Sequence, residues 1–164
     1  MRDLSVYVRR CEKMLDETGI AIGRVKEYKV NTRATGRWGQ CRKEADGFVI
    51  EISSVLLNER NPEKALIETL LHELLHTCDG CQNHGAKWKS LASVLGEKYE
   101  LCIKGRQSAE EKGIVAETRK KQIVHKFVCQ GCGAVIERQR ESKFTKHYRM
   151  YRCSKCGGTF KKIF

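Results

Sequence analysis

Residues 62–88, PEKALIETLLHELLHTCDGCQNHGAKW, decide how the chain is organised. The stretch predicts a helix from Pro62 to about Thr77, because proline is tolerated at the first helical position and Asn61 can cap the helix. An early Glu63 suits the positive end of the helix dipole. The pattern is apolar over more than half of the circumference, so the helix is expected to be buried. The apolar positions are Leu66, Ile67, Leu70, Leu71, Leu74 and Leu75.

Two histidines and a glutamate interrupt this apolar helix. His72 and His76 are four residues apart and therefore lie on one face, where their imidazoles can share a metal ion. Glu73 can hold and deprotonate a water on that metal. A catalytic zinc takes three protein ligands and leaves one position for water, and His84, beyond the turn, is the candidate third ligand. The alternative is a chance spacing of histidines that ordinary hydrogen bonds satisfy. The pattern favours a zinc hydrolase with Glu73 as the general base.

Cys78 and Cys81 lie in the turn between these histidines. They can be reduced thiols that shape the turn, a redox-sensitive pair, or soft ligands that compete for the metal. Thiolate ligation would crowd the open position that catalysis needs. The turn-shaping interpretation is therefore favoured.

Four further cysteines form two Cys-x-x-Cys pairs near the end of the chain. Cys129 and Cys132 are separated by 20 residues from Cys153 and Cys156, which is the spacing of a zinc ribbon. Four thiolates close the coordination shell, so this zinc is structural and supplies much of the folding free energy of a segment with little core. The sequence thus predicts about two Zn²⁺ per chain, one catalytic and one structural.

The net charge of +12 is concentrated in the last part of the chain. Residues 1–100 carry 16 Lys and Arg against 15 Asp and Glu, whereas residues 101–164 carry 16 against 5. A one-sided basic segment, interleaved with aromatic rings that can stack on bases, is the footprint of a nucleic-acid-binding protein. The alternatives are a merely soluble lysine-rich tail and aromatic residues that form the core of the ribbon. The candidate DNA-binding residues are Arg138, Arg140, Lys143, Lys146, Tyr148, Arg149 and Arg152.

The remaining pattern predicts an α+β fold. An amphipathic helix is expected over residues 3–18, followed by a small, mostly antiparallel sheet with strands that include 25–30 and 48–52. Asp46-Gly47 marks a turn between strands.

Two domains joined by a connector are expected: residues 1–103 as the hydrolase domain, 104–124 as a helical or partly ordered connector, and 125–164 as the ribbon. The first residues contain no apolar signal segment, and no apolar run reaches membrane-spanning length. The expected protein is monomeric, has no membrane partner, and is cytoplasmic or associated with a nucleoid or nucleus.

The order of these parts resembles the SprT-like metalloprotease family, which includes the Spartan proteases. The matching features are the small sheet, the His72-Glu73-Leu74-Leu75-His76 motif, the segment HGAKW at 84–88, and the four-cysteine ribbon, over about residues 1–160. The resemblance implies a zincin-like domain with three histidine ligands and Glu73 as the base. In the Spartan branch it also implies proteolysis of proteins covalently trapped on DNA, with DNA binding by basic and zinc elements.

The expected function is therefore a zinc endopeptidase that acts on DNA-associated or DNA-crosslinked proteins, with the ribbon binding single-stranded or damaged DNA. The expected partners are a protein substrate and DNA. One alternative is a non-catalytic nucleic-acid-binding zinc protein or regulator, in which the first metal site is structural. The other is a general zinc peptidase whose ribbon binds protein.

Overall fold

A computed structural model describes residues 1–34, 36–115 and 123–164. The chain divides into two compact units, Met1–Glu117 and Thr118–Phe164. Within the described ranges the protein is a mixed α+β structure with two small sheets and four α-helices. This confirms the predicted fold class at that level. None of the helices in these ranges is long and apolar enough to cross a membrane.

The first unit contains three helices and one three-stranded sheet. Its first helix begins where the Asp3 side chain accepts a hydrogen bond from the Ser5 backbone N–H at 2.9 Å, which satisfies one free donor of the first turn. The helix buries Val8, Cys11 and Leu15. The elements are α1 Leu4–Asp16, β1 Val25–Asn31, β2 Gly39–Glu44, β3 Gly47–Ser53, α2 Glu63–Leu75 and α3 Ala86–Tyr99.

The sheet of the first unit has the strand order β1–β3–β2, so β2 is an edge strand. β2 and β3 form an antiparallel hairpin in which Glu44 pairs with Gly47, as the Asp46-Gly47 turn predicts. β1 and β3 are parallel, with Tyr28 opposite Ile50. The prediction of a mostly antiparallel sheet is wrong for this pair. The segment after β1 carries the chain to the far edge, and β3 returns between the two outer strands.

Helix α2 lies at the centre of the first unit. Helices α1 and α3 and strands β2 and β3 all pack against it. Leu66, Leu70 and Leu74 are completely buried. Two carboxylates on the same helix, Glu68 and Glu73, are only 4% and 6% exposed. Such buried polar groups are costly unless the protein gives them partners or a function, so both are candidates for a specific role.

The start of α2 differs from the prediction. The N-cap position is occupied by Pro62, and no side chain caps the helix. The Asn61 amide instead donates to the Val55 carbonyl at 2.7 Å and accepts from the Val115 N–H at 2.8 Å. The Asn61 side chain, on a residue that is 3% exposed, thus satisfies two backbone groups and is not available as a cap.

Residues 101–115, called the strap below, run along α2 from Glu68 to His72 and then return to its start. The Cys102 backbone N–H donates to Glu68 Oε1 at 2.7 Å, and Lys112 Nζ lies 3.8 Å from Glu68 Oε2. The described part of the predicted connector, 104–115, forms turns and bends with no helix, and residues 116–122 lie outside the described residues. The buried Glu68 thus fixes the strap to the central helix.

The second unit is built around one small sheet of β4 (His125–Cys129), β5 (Val135–Arg138) and β6 (Phe160–Lys162), with the strand order β5–β4–β6. Phe127 is completely buried at its centre, and the rings of Phe144 and Tyr148 lie 4.9 and 5.1 Å from it. Ser142 and Thr145 form a capping box at the start of the short helix. The other elements are α4 Lys143–His147 and a 3-10 turn Tyr148–Met150.

Candidate metal centres

The three predicted histidines meet at one point of the first unit. Helix α2 places His72 and His76 one turn apart, and His84 lies just before the N-cap of α3, Gly85. The Nε2 atoms form a triangle: His72 and His76 are 3.2 Å apart, His76 and His84 3.1 Å, and His84 and His72 3.0 Å. Such a triangle suits a zinc ion with Zn–N bonds of about 2.0–2.1 Å.

The other ring nitrogens fix the chemical state of this cluster. His72 Nδ1 lies 3.0 Å from the Lys104 carbonyl, and His76 Nδ1 lies 2.8 Å from the Cys81 carbonyl. Carbonyls only accept, so both Nδ1 atoms carry the proton and both Nε2 atoms present a lone pair. Burial, and then the neighbouring His76 and His84, lower the pKa of His72 to about 4. Facing lone pairs repel each other, so the donor set fits a bound cation.

Trp88 forms the wall behind the three imidazoles. Its ring centroid lies 4.9, 5.8 and 4.7 Å from those of His72, His76 and His84, and its side chain is 1% exposed. α3 carries this ring, and His84 lies two residues before its start, so the packing of α3 on α2 sets the third corner of the triangle. Among the described residues, the Trp88 Nε1–H has no hydrogen-bond partner.

Glu73 lies beside the cluster in a cleft next to β2. Burial raises its pKa to about 7, against the opposing effect of the Cys41 backbone N–H. Gly39, at the start of β2, leaves room for it: a Cβ at this position would lie 2.5 Å from Glu73 Oε1. Glu73 and His72 border cavities on both sides, so the carboxylate lies in the middle of an open cleft.

The family comparison concerns this first unit. The model of the SprT-like family matches residues 9–108, which include most of α1, all of β1 to α3, and the three histidines. The chain belongs to the SprT-like family. This is a metalloprotease-type family, and the resemblance seen in the sequence is thereby confirmed. A search of the curated proteins finds no match.

Cys78 and Cys81 belong to the core of the SprT-like unit. They are 2% and 0% exposed and pack among the apolar side chains. Neither is part of the histidine cluster. The Cys81 carbonyl orients His76, so the turn that these cysteines shape holds a ring of the triangle in place. These contacts support the turn-shaping interpretation.

The four predicted ribbon cysteines of this SprT-like chain also come together. Cys129 Sγ lies 3.4 Å from Cys156 Sγ, Cys132 Sγ lies 3.6 Å from Cys153 Sγ, and all four sulfurs are within 4.8 Å of one another. The Cys132 backbone N–H, more than any other group, lowers the pKa of Cys129 to about 6. These distances suit Zn–S bonds of about 2.3 Å. The thiols therefore fit a closed zinc site.

The glycines of the ribbon allow the sulfurs to converge. A Cβ at Gly131 would lie 3.1 Å from Cys156 Sγ, and a Cβ at Gly158 would lie 3.0 Å from Cys129 Sγ. Both glycines therefore give the sulfurs room that any other residue would take.

The predicted DNA-binding residues lie on β5, α4 and the 3-10 turn, except for Arg140, which follows β5, and Arg152, which follows the turn. The Arg138 guanidinium lies 5.9 Å from the Phe144 ring centre, and that of Arg149 lies 5.8 Å from the Tyr148 ring centre. Tyr148 is half-buried against Phe127, so only part of its ring is free to stack. Lys146 Nζ lies 3.3 Å from Glu141 Oε2. All six predicted cations are exposed: Arg138, Arg140, Lys143, Lys146, Arg149 and Arg152.

Sequence analysis missed three features of the SprT-like site. The Lys104 carbonyl that orients His72, the space at Gly39, and Lys112 in the cleft wall all come from segments distant in sequence. Periodicity and spacing report only local contacts, so they gave no signal for Lys104 or Lys112. Gly39 begins β2, and a glycine in a strand can indicate close approach of another group.

Proposed function

We propose that the chain is a zinc-dependent endopeptidase. His72, His76 and His84 hold the catalytic zinc, and Glu73 is the general base. The observation that carries this proposal is the triangle of Nε2 atoms, with edges of 3.0 to 3.2 Å, beside a buried carboxylate in an open cleft. A structural site would need a fourth protein ligand, and none of the described residues adds a fourth ligand atom to this group.

Each group that borders the cleft has a separate role in the proposed reaction. Bound zinc would lower the pKa of water at the open position to about 7 and polarise the scissile carbonyl. Glu73 takes the proton of the attacking water and passes it to the nitrogen of the leaving amine. The free edge of β2 can pair with the backbone of an extended substrate, which would lie across Glu73. The Lys104 and Cys81 carbonyls keep His72 and His76 in the ligating orientation.

Replacing Gly39 by Ala tests the placement of Glu73. The new Cβ would lie 2.5 Å from Glu73 Oε1 and 2.7 Å from its Cγ, so the carboxylate must move. We expect kcat/KM for an unstructured protein, fluorescein-labelled casein, to fall by about 10²-fold, the order of effect of a displacement near 1 Å. Val94→Ile is the matched control, because it also adds one carbon, at an exposed position of α3 outside the cleft. Equal activity of the two variants would contradict the placement.

We propose further that the ribbon holds a structural zinc through Cys129, Cys132, Cys153 and Cys156 and binds DNA. Residues 123–164 carry 10 Lys and Arg against 2 Asp and Glu. Exposed cations beside aromatic rings suit single-stranded nucleic acid with little sequence preference. The substrates proposed on this basis are DNA-associated or DNA-crosslinked proteins, which the ribbon would bring to the peptidase by holding the same DNA.

Removing two ribbon cations tests the DNA proposal. In Arg149→Gln/Arg152→Gln, affinity for single-stranded DNA should fall about tenfold, and the slope of log K against log salt should decrease by about 2. The matched control removes two exposed cations of the first unit, in Arg9→Gln/Arg60→Gln. Fluorescence polarisation of a labelled oligonucleotide over a range of salt gives both quantities. Binding that does not depend on salt, or that falls equally in both variants, would contradict the proposal.

A second candidate is a general zinc peptidase whose ribbon binds protein. The exposed apolar residues of the ribbon favour it: Met150 is 80% exposed and Tyr151 is 41% exposed. Cleavage of a DNA-bound protein separates the two candidates. Stimulation by single-stranded DNA supports the DNA-coupled peptidase, whereas equal cleavage with and without DNA supports the general peptidase.

A further inference from the structure

A cavity of about 350 Å³ lies on one side of Glu73, between β2 and the strap. It is called the strap cavity below. One wall is the segment 36–39, which leads into the edge strand, and the opposite wall is strap residues 104–107. His72 and Glu73 border it where it meets the cleft. A side chain of a peptide lying along β2 would therefore enter the cavity next to the bond to be cleaved.

The lining of the strap cavity is strongly basic. Arg37, Lys104 and Arg106 lie at its rim and are exposed, and Lys112 forms part of the interior with a side chain that is only 7% exposed. Among the described lining residues Glu73 is the only carboxylate. Behind the wall, Glu68 lies 3.8 Å from Lys112 and balances that single charge. The three rim cations therefore outnumber the acidic groups that face them.

Acidic residues near the rim do not neutralise it. Glu111 is close enough to Lys104 to have its pKa lowered, first by the Ser108 backbone N–H and to a smaller extent by Lys104. Glu111 Oε2 accepts a hydrogen bond from the Ser108 N–H at 2.7 Å. Among the described residues, Glu111 and Lys104 form no ion pair. Within the described residues, the ion pairs leave Arg37, Lys104 and Arg106 without a carboxylate partner. Their donors remain available to a ligand.

The cavity on the other side of Glu73 has a different character. It measures about 310 Å³ and is lined by Gln40, Cys41, Phe48 and Gln82, with Lys43 as the single cation outside the histidines. The cleft is thus asymmetric along β2, basic towards residue 37 and close to neutral towards residue 43. Such an asymmetry distinguishes the two sides of a scissile bond and can orient a substrate.

We propose that the strap cavity is a substrate subsite that binds an acidic side chain, Asp or Glu, adjacent to the scissile bond of a peptide. This inference rests on the proposed peptidase function and specifies its substrate. The ligand is a carboxylate, because guanidinium groups bind carboxylates with two parallel hydrogen bonds, and a cavity of about 350 Å³ has room for such a side chain. Nucleic acid fits less well, because Lys112 is enclosed and the cavity opens onto the peptide-binding edge of β2.

Cleavage-site mapping tests the subsite in the active protein. The zinc-loaded full chain digests a peptide mixture of broad sequence, and mass spectrometry identifies the cleaved bonds. We expect Asp and Glu to be enriched at one fixed position beside the bond by about fivefold, the order of effect of two partly exposed ion pairs. Arg37→Gln/Arg106→Gln should lose this enrichment through a higher KM for acidic peptides. The control Arg9→Gln/Arg60→Gln removes the same charge elsewhere and should keep it.

A binding measurement separates failure of the subsite from failure of the peptidase proposal. The Glu73→Gln chain is titrated with two peptide pools that differ only in carrying Asp and Glu, or Asn and Gln, at one position. We expect the acidic pool to bind more tightly, and this preference to be lost when the chain also carries Arg37→Gln/Arg106→Gln. This result supports the subsite even if the wild type cleaves nothing. Equal binding of both pools overturns it, whatever the cleavage result. Single-stranded DNA that competes at this cavity, without any preference between the pools, also overturns it in favour of a polyanion.

Discussion

Glu73→Gln is expected to lower cleavage of unstructured protein by about 10²–10⁴-fold, the range that general acid–base catalysis contributes. The amide has nearly the same shape but cannot accept the proton of the attacking water. The zinc content should not change, because the imidazoles and the carbonyls that orient His72 and His76 are untouched. Loss of cleavage with retained zinc would separate a chemical role for Glu73 from a structural one.

The control for this prediction lies on the same helix. Glu63 is in the first turn of α2 and forms an exposed ion pair with Arg10 at 2.8 Å, so Glu63→Gln makes the same chemical change far from the cleft. Its cleavage rate should match that of the wild type, and the stability of both variants can be followed by tryptophan fluorescence. Comparable cleavage by Glu73→Gln and Glu63→Gln would rule out Glu73 as the base.

Cys129→Ser should unfold the ribbon while the first unit stays folded. The second unit has a very small core, with Phe127, Cys129, Cys153 and Phe160 as its buried apolar residues in the described range. Structural zinc sites contribute about 10–16 kcal/mol of apparent binding free energy, which exceeds what such a core supplies. We expect loss of one zinc ion, collapse of the amide NMR signals of the ribbon, and loss of salt-dependent DNA binding.

The first unit provides the control for the ribbon variant. Both tryptophans belong to it, so their fluorescence reports unfolding of that unit alone. Cys102→Ser changes an exposed thiol outside both clusters and should leave zinc content and NMR signals unchanged. Retention of zinc and of dispersed ribbon signals in Cys129→Ser would show that the metal does not hold this unit together.

Local sequence patterns were sufficient to predict the elements that carry the candidate metal ligands. The spacing of His72 and His76 on an apolar helix gives their shared face directly, since an α-helix repeats every 3.6 residues. The Cys-x-x-Cys pairs likewise describe tight turns whose geometry is local. The structure brings both sets of side chains together as the spacing indicates.

Contacts between distant segments were not predictable. β1 can pair with β3 in parallel only because the chain first crosses to the other edge of the sheet. The short connections in the sequence predicted antiparallel neighbours instead. The sequence predicted Asn61 as a helix cap, but its side chain is hydrogen-bonded to the backbone of Val55 and of Val115, and Val115 is 54 residues away. The fit of Gly39 against Glu73 and the basic wall of the strap arise in the same way. The candidate catalytic residues could thus be named from sequence, whereas the shape and charge of the cleft required the structure.

The zinc content of wild type and His84→Ala tests the central claim most directly. His84 supplies the third corner of the triangle from outside α2, so its removal leaves the helix intact and opens only the metal site. Native mass spectrometry should find about two zinc ions in the wild type and about one in His84→Ala, with cleavage confined to the two-zinc form. A wild type that binds a single zinc ion, unaffected by His84→Ala, would contradict a catalytic zinc on His72, His76 and His84.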